Sequence, residues 1–268
     1  VRSLKDQFGA PSRLSVSVLY VATTPALDEG YALTALLHPE LELVRQSAEV
    51  PIKQQIQRLV EEDEREFFTF FVDDIVIVRR FGLADHPFQL LRSRDELASI
   101  SLRLNPRVDR CQPLGLRTGT PPLDADLTWD WRPASSRLRR LWGRLSGHPT
   151  PLGDWAGSMF LDGSVFRHRQ FIEHFRTLPA LDYVTRLESV MLHSPLPGAR
   201  VACYPESRLV NLVMNRVDVH SGYPHGGGSV EELNTRFLAG ERLAYAHLSF
   251  LDNRACHLVE APRWQVRG

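Results

Sequence analysis

The chain has 268 residues, 43% of them hydrophobic and 24% charged, and its 32 basic side chains are balanced by 32 acidic ones. That length allows one large α/β domain or two small ones with a substantial core, and the even charge argues against a global attraction to nucleic acid or anionic membrane. Cys111, Cys203 and Cys256 are odd in number, widely spaced and without a CxxC pair, which argues against a disulfide framework or structural zinc and suits a reducing, cytoplasmic setting. No apolar stretch approaches the roughly 20 residues that span a bilayer. The opening "VRSLKDQFGAPSRLS" carries no signal-peptide h-region.

In chain order, "SRLSVSVLYVATTP" predicts a strand ending in a loop at Thr23 and Thr24, and "ALDEGYALTALL" a helix. "LELVRQ" predicts a second strand. "PIKQQIQRLVEEDE" predicts a helix with Pro at its first position and Ile52, Ile56, Leu59 and Val60 on one face. A third strand follows within "EREFFTFFVDDIVIVRRFG", residues 64–82, completing a β-α-β-α-β order that predicts a mainly parallel sheet flanked by helices. Next come a helix in "HPFQLLRSRDEL", a strand in "ASISLRLN" interrupted by Arg103, a Pro- and Gly-rich excursion at 105–124, and a short strand in "LTWDW". A basic insertion carries Arg137, Arg139, Arg140 and Arg144. "SVFRHRQFIEHFRTL" and "ALDYVTRLESVMLH" read as helices, and "RVACYPESRLVNLVMNRVDV" as one or two strands. "HSGYPHGGGS" reads as a mobile lid, and Ser229 to Glu232 as a capping box opening another helix. No repeat, low-complexity tract or linker divides the chain.

Two adjacent carboxylates, Asp73 and Asp74, break the most apolar run. Burying an unpaired carboxylate is costly, so a core strand does not normally hold two. Ligands of open α/β sheets bind beyond the carboxyl ends of parallel strands, where this run ends. Two acids there suit a hard cation, Mn²⁺ or Mg²⁺, that bridges to phosphate. The plainer alternative is a strand end whose acids cap a helix or pair with Arg79 or Arg80. Arg103 offers a bidentate fork to phosphate or, equally, to an acidic neighbour.

The order of "VDDIVIVRRF", "ISLRLN", "WDW", "DWAGSMFLDGSVFR" and "SVEELNTRFLAG" over residues 14–240 resembles GT-A glycosyltransferases, in particular bacterial family-2-like or uncharacterised ones. The resemblance implies a single GT-A-like (Rossmann-like) domain over 1–268, with a nucleotide-sugar-binding half at about 14–104 and an acceptor half at about 125–240. It implies Thr23 near the nucleoside, with Thr24 beside it, and Lys53 on the nucleotide or supporting the acidic motif. Lys53 reads equally as a solvated helix residue. Asp73 would meet ribose or a metal-bound water, and Asp74 the metal and diphosphate. The adjacent aspartates depart from the usual D-x-D spacing, leaving open which oxygen touches the metal.

For the acceptor, Asp154, Asp162 and Glu188 are the candidate bases, with Trp155 as a stacking ring. Asp162 has a second reading as a "DG" turn, and Glu188 as an exposed helix position. His220 or His225 is a candidate third metal ligand, or a surface histidine. The expected function is metal-dependent transfer from a nucleoside-diphosphate sugar to a saccharide or lipid-linked saccharide, in bacterial surface polysaccharide or glycoconjugate synthesis. No nucleic-acid partner is expected, and the basic stretch allows peripheral contact at the inner face of the membrane. The rival classes are a metal-dependent hydrolase of phosphate or glycosidic bonds and a non-catalytic carbohydrate-binding protein.

Overall fold

The computed structural model describes residues 1–132, 153–179, 181, 184–194, 196–214, 228–250 and 253–266. A short helix, α1 (Arg2–Gln7), opens the chain. The expected β-α-β start follows: β1 (Ser17–Tyr20) and β2 (Glu42–Arg45) pair in parallel, joined by α2 (Pro25–Leu37). Thr24 caps α2, its Oγ1 accepting from the Leu27 N–H at 3.3 Å. Helix α3 (Ile52–Glu61) buries Ile52 and Val60, as its apolar face requires, and Pro51 stands at its N-cap.

Residues 64–82 hold two strands where one was expected. β3 (Phe67–Thr69) ends before the aspartates, which occupy a turn at 73–74, and β4 (Ile75–Ile77) continues in a different sheet. After α4 (His86–Ser93) and β5 (Leu97–Ser101), the excursion at 105–124 contains a small hairpin, β6 (Arg110–Cys111) with β7 (Leu116–Arg117). β8 (Thr128–Asp130) matches the strand expected in "LTWDW". "SVFR" is not the start of a helix but a strand, β9 (Ser164–Arg167), which runs directly into α5 (His168–Thr177). Then come α6 (Val184–His193), β10 (Arg200–Cys203) and β11 (Leu209–Leu212). The Ser229 Oγ accepts from the Glu232 N–H at 3.2 Å, capping α7 (Val230–Leu238) as its sequence predicts. The chain ends in β12 (Glu241–Leu243), β13 (His257–Leu258) and β14 (Trp264–Val266).

The molecule is therefore mixed α/β, but its sheets are not mainly parallel. The largest has the order β3-β9-β5-β10-β8. In it only β5 and β10 run parallel; β9 is antiparallel to both β3 and β5, and β8 to β10. The second sheet is β13-β11-β4, with β11 parallel to β13 and antiparallel to β4. The parallel β1–β2 pair stands as a sheet of its own, and β12 pairs antiparallel with β14.

Helices cover the large sheet because its strands carry apolar residues on alternate faces. On β9, Val165 joins a cluster with Phe88 and Leu91 of α4, while Phe166 joins one with Phe171 and Phe175 of α5 and Met191 of α6. The antiparallel register places the C-terminal end of β3 and the N-terminal end of β9 together. The C-terminal ends of β5 and β10 lie at the same edge. That edge receives Asp73, Arg103 and Asp162. No helix among the described residues is long and apolar enough to cross a membrane. The basic stretch at 137–144 and the residues 215–227 that include His220 and His225 lie outside the described residues.

Candidate functional site

Arg103 organises the edge. Only 2% exposed, it follows β5 and places its Nη1 2.6 Å from Asp162 Oδ2 and its Nη2 3.2 Å from Asp154 Oδ1. Its guanidinium carbon lies 4.2 Å from the centre of the Phe160 ring. Of the two sequence readings of Arg103, the acidic-neighbour pairing is the one formed, with two carboxylates rather than one. Burial alone would favour the neutral guanidine, but Asp162 and Asp154 outweigh it and hold the pKa of Arg103 above its ordinary value.

Asp162 stands in a turn, as its "DG" reading expects, and also pairs with Arg103. Gly163 after it adopts φ 77°, a backbone that favours glycine, and a Cβ there would press on the Leu209 side chain. Burial would raise the Asp162 carboxyl, yet Arg103 and His257 overcome that and hold it down to about 2. The His257 Nε2 lies 3.6 Å from Asp162 Oδ2. Burial pulls His257 down, but Asp162 and Asp154 outweigh it, so its proton is held more tightly than in water.

His257 arrives from the second sheet. There β13 runs beside β11, with His257 opposite Asn211. The Asn211 Nδ2 donates to Asp74 Oδ1 at 3.2 Å, and the Leu212 N–H donates to the Asp74 carbonyl at 2.9 Å. Asp74 is half-buried in its turn and Asp73 is exposed. Burial raises the Asp74 pKa, Asp73 and Asp162 add to this, and His257 and Asn211 offset only part of it, leaving it near a value of about 6. Glu188, half-buried on α6, is likewise raised by burial and by Asp162, against the opposing charges of Arg103 and His257.

The candidate cation ligand Asp74, the candidate bases Asp154, Asp162 and Glu188, and Arg103 share one electrostatic neighbourhood in the fold. His257 and Asn211 belong to it as well and were not anticipated. Asp73 approaches the other side: burial, then Asp73, raise the Tyr31 phenol, and Tyr31 stacks on Tyr20 with ring centres 3.9 Å apart. This links the first β-α unit to the acid pair. Within that unit Thr23 is exposed and the Thr24 hydroxyl is engaged as the α2 cap.

Two expectations require correction. Trp155 is fully buried, donates its Nε1 to the Val108 carbonyl at 3.1 Å and packs edge-on against Trp129 at 4.8 Å, so it is core and not a stacking platform. Lys53 is also buried, its Nζ donating to the Arg176 carbonyl at 3.1 Å and to the Leu178 carbonyl, where the negative end of α5 favours a cation. Its amino group anchors the end of a helix instead of facing the acid pair. Accordingly, Lys53→Met is expected to lower unfolding free energy by about 1–3 kcal/mol, the range for a hydrogen-bonded charge. Denaturant titration checks the loss, and a nucleotide-induced thermal shift that stays as in the wild type checks the absence of a binding role.

The donor chemistry at the turn fits a hard divalent cation. Asp73 and Asp74 supply oxygen, and Asp74 is raised first by burial and then by the charges of Asp73 and Asp162, an environment in which a cation would favour its ionised form. Among the described residues no group of three or more His, Cys, Asp and Glu side chains is arranged to hold a metal, so the protein would contribute the one or two carboxylates typical of Mg²⁺ sites completed by water and phosphate. His220, the expected third ligand, lies outside the described residues. Against protein-family models, curated proteins and solved structures, the chain finds no match.

Proposed function

We propose that the chain is a cation-dependent, GT-A-like glycosyltransferase moving a sugar from a nucleoside-diphosphate sugar to an acceptor hydroxyl. The reading rests on one observation. Beyond the carboxyl ends of the parallel strands β5 and β10, Arg103 pairs with Asp162 and Asp154, and Asp162, held down to about 2, lies within electrostatic reach of Asp74 and Glu188, which are both raised. Environments that drive neighbouring acids apart divide the roles of an acid–base site, and that edge is where α/β sheets bind ligands. The "VDDIVIV" resemblance supplies the reaction class. A cytoplasmic setting and a saccharide or lipid-linked acceptor in bacterial surface polysaccharide synthesis belong to the same proposal.

Asp74 and Asp73 would hold Mn²⁺ or Mg²⁺. When bound, the ion supplies charge neutralisation on the departing diphosphate. Arg103, its two terminal nitrogens engaged by Asp154 and Asp162, acts as a scaffold for the acids rather than a phosphate ligand. Asp162 stays ionised and orients His257. Glu188 remains as the carboxylate best poised to take the acceptor proton, since its raised pKa brings it closer to neutral pH than Asp162.

Asp74→Asn is expected to abolish Mn²⁺-dependent binding of nucleoside diphosphates, measured by calorimetry, while the fold survives. Its folded pKa of about 6 lies above the unfolded value, so ionised Asp74 destabilises the cation-free fold. That penalty is absent below the unfolded pKa near ~4 and complete above pH ~6. The variant should therefore unfold at a higher temperature than cation-free wild type at pH 7. Wild-type nucleotide affinity in the variant would overturn the assignment. Product that depends on an added acceptor distinguishes transfer from hydrolysis, and an absence of any cation-dependent nucleotide binding would favour a non-catalytic carbohydrate-binding protein.

A further inference from the structure

Strand β11 is buried along its whole length, and Asn211 is its one polar side chain among Leu209, Val210 and Leu212. Its place in the sheet does not require an amide. The backbone N–H already donates to the Cys256 carbonyl at 3.0 Å. The side chain is 2% exposed, its Nδ2 is held on Asp74 Oδ1, and its Oδ1 has no hydrogen-bond partner. Turning the amide over would set two oxygens against each other, so the carboxylate fixes its orientation. A buried amide oxygen without a donor is unfavourable and calls for an explanation, and a bound ion or water beside Asp74 supplies one. Because the nitrogen of the same planar group rests on Asp74, whatever meets this oxygen is a neighbour of that carboxylate.

We propose that Asn211 is a ligand-site residue: its Nδ2 orients Asp74, and its Oδ1 is the oxygen that the second sheet contributes to the surround of the divalent cation held by Asp74 and Asp73. A hard cation accepts an asparagine carbonyl oxygen as readily as a carboxylate. The inference deepens the cation-dependent reading above and rests on it. It also explains why an amide interrupts an otherwise apolar strand: the interruption weakens the cation-free core and serves binding.

The test measures Mn²⁺ binding directly, by electron paramagnetic resonance of free Mn²⁺ and by calorimetry, alongside the cation-free thermal midpoint. N211L should weaken Mn²⁺ binding by roughly 10–100-fold, the span for groups that support a metal site, with a cation-free midpoint unchanged or raised. N211D, which keeps an oxygen at that place, should bind Mn²⁺ within several-fold of wild type. N211V, suited to a buried strand, replaces N211L if the latter does not fold. Wild-type affinity in N211L or N211V, or a lowered midpoint with affinity intact, would make Asn211 structural and overturn the proposal. Equal weakening in N211D and N211L would reduce it to a prop for Asp74 and overturn the ligand role. Wild-type protein that binds no Mn²⁺ would instead remove the cation reading itself.

Discussion

Arg103→Met should lower the unfolding free energy at pH 7 by about 3–5 kcal/mol, the cost of leaving a buried charge without its partner. Methionine replaces most of the side-chain volume, so the loss isolates charge from packing. The deficit should depend on pH with a definite sign. In the wild type Asp162 is held down to about 2, below its unfolded value, so it contributes stability that is fully present above pH ~4 and is lost as pH falls through about 2. Without Arg103, only His257 and a backbone hydrogen bond oppose burial, so the Asp162 pKa is expected to rise above the unfolded value. Ionisation then opposes folding, and the variant should recover relative to wild type as pH falls from 7 towards 4. Arg103→Lys should fall between the two, because an ammonium cannot hold Asp162 and Asp154 with one planar fork. Guanidinium titrations at both pH values provide the comparison. A loss of the same size at pH 7 and pH 4 would mean that packing, not charge, makes Arg103 indispensable.

The position of this charge was readable because polar residues stand out in apolar runs. Asp73 and Asp74 within "FFVDDIVIV", and Arg103 within "ISLRLN", each violate the hydrophobic pattern. Each is found at the edge of the large sheet or in the turn beside it. What the pattern did not carry was strand direction. An apolar run is equally buried whichever way it points, so β3 was placed in a parallel sheet when it pairs antiparallel with β9. β9 itself was hidden because Val165 and Phe166 run without a turn residue into the helical spacing of Phe171 and Phe175. The acids nevertheless follow the C-terminal end of β3, as expected, because the end of β3 and the start of β9 coincide there.

Side-chain roles were less legible than positions. Lys53 opens an amphipathic helix, and periodicity cannot distinguish a side chain reaching a ligand from one reaching the carbonyls at the end of α5. Trp155 lies beside permissive glycines, but its large apolar surface is more stable in the core than against solvent. His257 and Asn211 come from short strands far apart in sequence. Their signals, one amide in "RLVNLVM" and one imidazole in "ACHLVE", gain meaning only once β11 and β13 are paired.

Glu188→Gln should lower acceptor-dependent turnover by roughly 10²–10⁴-fold, the usual consequence of losing a general base, with nucleotide-sugar affinity nearly unchanged. Glutamine keeps the size of the side chain and removes only its ability to take a proton. The pH profile adds a second readout. Ionised Glu188 is the active form and its pKa is raised by burial and by Asp162, so wild-type turnover should fall on acidification at a higher pH than an ordinary carboxylate gives. That limb should vanish in the variant. Asp154→Asn is the contrasting case. Asp154 shares Arg103 with Asp162, so removing its charge leaves Arg103 undercompensated, and the substitution should lower stability more than turnover. If Glu188→Gln retains near-normal turnover while Asp154→Asn loses it, with both proteins folded at the assay temperature, Asp154 is the base and the raised Glu188 is only a half-buried helix residue. If both retain it, proton transfer does not limit the reaction, or the sugar passes through a retaining mechanism that needs no such base.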